Sequence, residues 1–130
     1  MQLLFAWDAN GAADDVATQQ MIADGSDDDE VRRESLAMAK GTWEQRAMID
    51  PRVERLAPQW PPRRQPGVDR NLLRLAVWEL TNLPTPPKVV IDEAIELSKE
   101  YSTEQSASFV NGVLDAILKE NQALTGGSMQ

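Results

Sequence analysis

Three apolar stripes at helical spacing, cut apart by prolines, constrain this chain more than any other feature. Val68, Leu72, Leu75, Ala76, Leu80 and Leu83 form the first, which predicts a helix over about Val68 to Leu83. Pro84, Pro86 and Pro87 forbid its continuation, and Val90, Ala94, Leu97 and Tyr101 form a second stripe within Lys88 to Tyr101. Ser102 or Thr103 then opens a third helix with Phe109, Val110, Val113, Leu114, Ile117 and Leu118 facing inward. No stretch alternates apolar and polar residues as a half-buried strand would, so the class is all-α, a compact helical bundle.

The N-terminal half reads less sharply. Met1 to Trp7 resembles the tail of a helix with no cap, which predicts an incomplete first helix ending at Asn10-Gly11. A weaker helix is expected over Asp14 to Ile22. The acids Asp27 to Glu30 suit the positive end of another, running to about Ile49. Asp50-Pro51 reads as a cap and first residue of a short helix to Leu56, and Pro58, Pro61, Pro62 and Pro66 mark a connector. One domain over residues 1–124 and a flexible tail over 125–130 follow.

The chain has no cysteine and no histidine, which removes thiolate, Ser-His and zinc-thiolate chemistry. That leaves carboxylates alone for a metal, and the acid run reads as a solvated helix start, so no metal or cofactor is expected. The lack of cysteine fits a reducing cytoplasm, and no apolar run is long enough to span a membrane. Asp92, Glu93 and Glu96 could in principle do acid-base work, but Asp92 and Glu96 share the side opposite the apolar stripe. The reading is a binding domain, not an enzyme.

A net charge of −8 argues against nonspecific wrapping of nucleic acid. Its distribution is uneven: eight acids and no base lie in residues 1–30, whereas six arginines face Glu54 and Asp69 between Pro51 and Leu75. Arg52, Arg55, Arg63, Arg64, Arg70 and Arg74 either form a surface for anions or pair with the acidic N-terminal third. Gly112, inside a helix, suggests a close helix crossing or, failing that, a ligand's approach. Asn111 suggests a polar residue bonded in the core or one turned to a ligand. Phe5, Trp60, Trp78 and Phe109 are core rings or, where exposed, stacking platforms for unpaired bases.

Two stretches carry a resemblance. Val68-Asp69-Arg70 followed by Leu73-Arg74-Leu75-Ala76 and Glu79-Leu80 is the first. Lys88-Val89-Val90-Ile91 followed by Glu93-Ala94-Ile95-Glu96-Leu97, continuing to Ser108-Phe109-Val110-Asn111-Gly112-Val113-Leu114-Asp115, is the second. In order and spacing they resemble the NusB family of bacterial transcription antitermination factors. The resemblance implies a bundle of about seven helices without catalysis. It would bind boxA-type RNA of nascent ribosomal transcripts with the ribosomal protein NusE and load onto the RNA polymerase antitermination machinery.

Carried onto this sequence, the resemblance assigns RNA contact to Phe5, Lys88, Gln105, Ser108 and Phe109, and contact with NusE to Asp69, Arg70 and Glu79. Two departures stand out. The arginine-rich segment that usually precedes the family's first helix is missing, which predicts a start assigned at an internal methionine, and Gln105 replaces a frequent acid. The alternatives are a scaffold that engages NusE with little RNA binding, and a stand-alone relative of the NusB-like domain of ribosomal RNA methyltransferases. A homodimer is a possible assembly.

Overall fold

A computed structural model describes residues 2–10, 28–58, 60–61, 65 and 67–129; for Gln2, Leu3, Phe5, Asn10 and residues 124–129 the description is confined to the backbone. Five helices are described and no strand: α1 (Gln2–Asn10), α2 (Asp29–Leu56), α3 (Gly67–Asn82), α4 (Pro87–Tyr101) and α5 (Glu104–Met129). The all-α class stands, with fewer helices than the seven expected. The helix expected over Asp14 to Ile22 lies outside the described residues. Helix α5 continues to Met129, past the boundary expected at residue 124.

Local chemistry explains the helix starts. The Asp28 carboxylate caps α2, accepting from the Glu30 and Val31 amides at 2.8 and 3.3 Å, and so satisfies donors with no partner inside the helix. Pro87 occupies the first turn of α4, where its missing N–H costs nothing and its fixed φ suits the helix. Thr103 caps α5, its Oγ1 accepting from the Ser106 amide at 3.0 Å.

The break expected at Asp50-Pro51 does not occur: α2 runs through Pro51 to Leu56. Buried residues on both sides explain why. Ile49 and Val53 belong to the same core, and the side chain between them, Asp50, is gripped by Arg74. Tertiary contacts outweigh the hydrogen bond that proline removes.

Antiparallel α4 and α5 pack along each other, α3 lies against both, and α2 and α1 rest on α3. The main core joins Leu72, Leu73 and Val77 of α3 to Val90 and Ala94 of α4 and Val110, Leu114 and Ile117 of α5. Each such leucine or isoleucine contributes about 1.5–3 kcal/mol by leaving water. A second cluster holds α1, with Leu4 and Trp7 against Ala39 and the Trp7 and Trp43 rings edge to face at 6.0 Å. No described helix is long and apolar enough to cross a membrane.

The glycines reverse one expectation. Gly112 is exposed and a Cβ there would meet nothing within 4 Å, so it marks no close crossing. Gly41 does, since a Cβ would lie 2.6 Å from Trp78 Cζ2. Asn111 is likewise exposed rather than bonded in the core.

Candidate functional site

The most tightly built polar feature joins α1, α2 and α3. Arg74 on α3 donates from Nε and Nη2 to the two oxygens of Asp50 at 2.8 and 2.6 Å, and from Nη1 to Asp8 at 3.2 Å. Arg70, one turn earlier, donates from Nε to Asp8 at 2.7 Å, with Nη2 on the same oxygen. Asn71 adds a third donor to that carboxylate at 3.0 Å.

Burial works against charge on Asp8, but the hydrogen bonds from Arg70 and Asn71 and the charges of Arg70 and Arg74 outweigh it. The carboxyl is held below its usual range. Burial likewise opposes the charge of Arg74, and its bond to Asp50 more than compensates, raising its pKa. Arg52 and Arg55 converge on Glu120 of α5, Arg52 also donating to Asn121 at 2.9 Å. The pairing reading therefore holds for these four arginines, though two of them reach a C-terminal acid; Arg63 and Arg64 lie outside the described residues.

The expected partner-binding residues share a helix but not an environment. Asp69 is fully buried (0% exposed) and accepts from Ser106 Oγ at 2.9 Å, tying α3 to the start of α5. It offers no surface to a partner, contrary to expectation. Arg70 is committed to Asp8, and it also donates to the Gln65 carbonyl at 3.1 Å. Glu79 is partly buried at a cleft between α3 and α4 that Glu93 also lines. Burial first, then the charge of Glu93, raises the Glu79 carboxyl above its usual range, with the amino terminus opposing this more weakly.

Of the expected RNA-binding residues, Gln105, Ser108 and Phe109 fall at i, i+3 and i+4 on one side of α5. Gln105 and Ser108 are exposed. The Phe109 ring is partly buried on the core and tilted against Trp60, centroids 4.5 Å apart at 58°. Ser108 opens onto a shallow groove of about 310 Å³ shared with Ile95, Lys99, Glu104, Ala107 and Asn111. Sequence reasoning missed Lys99 as its cation.

Lys88 is exposed at the far end of α4. It stands eleven residues, about 16 Å of helix, from the Lys99 end of that groove, so the structure does not bring it to Ser108. Phe5 lies on α1. Asp92, Glu93 and Glu96 are all exposed, and no group of three or more His, Cys, Asp or Glu side chains converges among the described residues.

This arrangement, with charges paired between helices and open grooves on α4 and α5, defines an all-helical binding domain. The NusB family model matches residues 1–119. A transcription antitermination protein NusB of Solibacter usitatus is 43% identical, over 92% of this chain and 84% of the relative; one of Sorangium cellulosum is 39% identical, over 90% and 84%. The Thermotoga maritima NusB structure ("T. maritima NusB") superposes with a TM-score of 0.81 at 37% identity, covering 92% of this chain and 84% of that one. A chain in the crystal structure of a plectonemic RNA supercoil superposes with a TM-score of 0.80 at 28% identity, over 91% and 87%. The chain belongs to the NusB family of transcription antitermination factors, which are not enzymes.

Proposed function

We propose that this chain is the RNA-binding adaptor of a cytoplasmic antitermination assembly. It recognises boxA-type RNA of nascent ribosomal transcripts together with the ribosomal protein NusE, and the pair joins the RNA polymerase machinery. The observation that carries the reading is the family match over residues 1–119, joined to the placement of Gln105, Ser108 and Phe109 on one side of α5. The structural neighbour from an RNA supercoil crystal supports RNA as the ligand.

In this reading the edge of Phe109 left open beside Trp60 stacks an unpaired base, Ser108 and Gln105 hydrogen-bond to base edges, and Lys88 meets a more distant phosphate. Phe5 contributes a second ring from α1. Glu79 serves the basic ribosomal protein, to which the acidic surface is complementary.

Fluorescence anisotropy of a short boxA RNA, titrated with the chain at low salt with and without the ribosomal protein, tests this. Binding that tightens on adding the protein supports it. Absence of RNA binding under both conditions overturns it. The net charge of −8 favours a second reading, a scaffold for the ribosomal protein alone. Salt dependence separates the two, because only an RNA complex weakens with a slope set by its phosphate contacts.

A further inference from the structure

The cleft between α3 and α4 has matched walls. Leu72, Leu75, Ala76 and Glu79 line it from α3 at i, i+3, i+4 and i+7; Val90, Glu93, Ala94 and Leu97 line it from α4 at the same intervals. Each wall is therefore one helix face, apolar except for a single glutamate. The four residues from Leu83 to Pro86 join the helices as an antiparallel hairpin, which sets Glu79, near the end of α3, beside the first turns of α4. Two carboxylates thus share the rim of an apolar slot.

That arrangement is unfavourable in the isolated chain. Glu79 is partly buried, and the like charge of Glu93 adds to burial in disfavouring its carboxylate, the two together outweighing the positive amino terminus. A charge withdrawn from water and only weakly countered costs stability. The slot holds about 30 Å³, room for one or two water-sized groups. That is room for an ammonium head but not for the larger planar guanidinium head; the stem of either would lie along the apolar walls outside it.

We infer that this cleft receives one lysine side chain of the protein partner, its methylene stem lying on the apolar walls and its ammonium between Glu79 and Glu93. The stem of a lysine is itself apolar, so one residue satisfies both halves of the slot. The assignment rests on the proposed basic protein partner and deepens it by naming the contact.

Calorimetric titration of that ribosomal protein into the wild-type chain, E79Q, E93Q and the exposed-side control D92N tests it, with a thermal melt of each free chain. The expected result is a loss of about tenfold in affinity for E79Q and for E93Q, none for D92N, and melting of E79Q no lower than wild type. One lysine-to-alanine substitution in the partner should lose affinity non-additively with E79Q. Unchanged affinity in E79Q and E93Q overturns the inference while leaving the partner reading intact; so does a loss matched by lower melting, which would make the glutamates structural. If the wild-type chain does not bind the protein at all, the partner reading and the inference fall together.

Discussion

Arg74 holds Asp50 with two parallel N–H donors at 2.8 and 2.6 Å while its remaining Nη1 reaches Asp8 at 3.2 Å, so one guanidinium bridges three helices. Its side chain is only 8% exposed. Removing it leaves two carboxylates in a poorly solvated place. Arg74→Ala is expected to destabilise the chain by about 3–5 kcal/mol in urea unfolding, because breaking a buried pair strands its partner. Arg74→Lys should recover only part of this, since an ammonium cannot reproduce the fork.

Stability should also fall in acid. The folded Asp8 carboxyl lies below its usual range, so in this region the unfolded chain binds more protons than the folded one. Its contribution is present above the unfolded value of about 4 and is lost as pH falls through the folded one. Glu79 has the opposite sign: its raised folded pKa makes stability decline as pH rises from about 4 through the folded value. Thermal melts from pH 3 to 7 should show a flatter acid limb in Asp8→Asn and a smaller decline above pH 4 in Glu79→Gln.

Gly41 and Gly112, each inside a helix, should respond in opposite directions. Gly41→Ala drives a methyl into the Trp78 indole, at 2.6 Å from Cζ2, and is expected to cost about 1–3 kcal/mol. Gly112→Ala meets open space and should stabilise the helix by about 0.5–1 kcal/mol. Chemical denaturation of both variants checks the pair.

Phe109 joins packing to the proposed stacking. Phe109→Leu keeps an apolar side chain beside Trp60 and should cost about 1 kcal/mol of stability. Its boxA affinity should fall about tenfold or more, the scale of one lost base–aromatic stack. Equal RNA binding by this variant would remove Phe109 from the interface.

The C-terminal hairpin was legible because its apolar spacing and its prolines agree: Pro84 to Pro87 separate two stripes whose buried members, Leu72, Val90 and Ala94 among them, meet in one core. Asp50-Pro51 misled for a physical reason. Local propensity places a boundary there, while burial of Ile49 and Val53 and the grip of Arg74 act from sequence-distant α3. The candidate site was legible as a set of residue types more than as a place. Gln105 and Ser108 are exposed as a binding role requires, but nothing along the chain distinguishes buried Asp69 from an acid at the surface, since its partner Ser106 lies 37 positions away. Glu93 escaped notice as Glu79's neighbour for the same reason.

Four of the arginines concentrated between Pro51 and Leu75 look like free cations only when the sequence is read as a string. Folded, Arg70 and Arg74 are counterions to Asp8 and Asp50, and Arg52 and Arg55 share Glu120. The charges of Arg70 and Arg74 are thereby neutralised inside the fold, and those of Arg52 and Arg55 are partly offset. In the proposed assembly, the ribosomal protein therefore acts as a detachable source of cation for an acidic reader of RNA. Each ligand then lowers the electrostatic cost of the other, and by linkage the RNA must strengthen the protein–protein contact by the same factor that the protein strengthens the RNA contact.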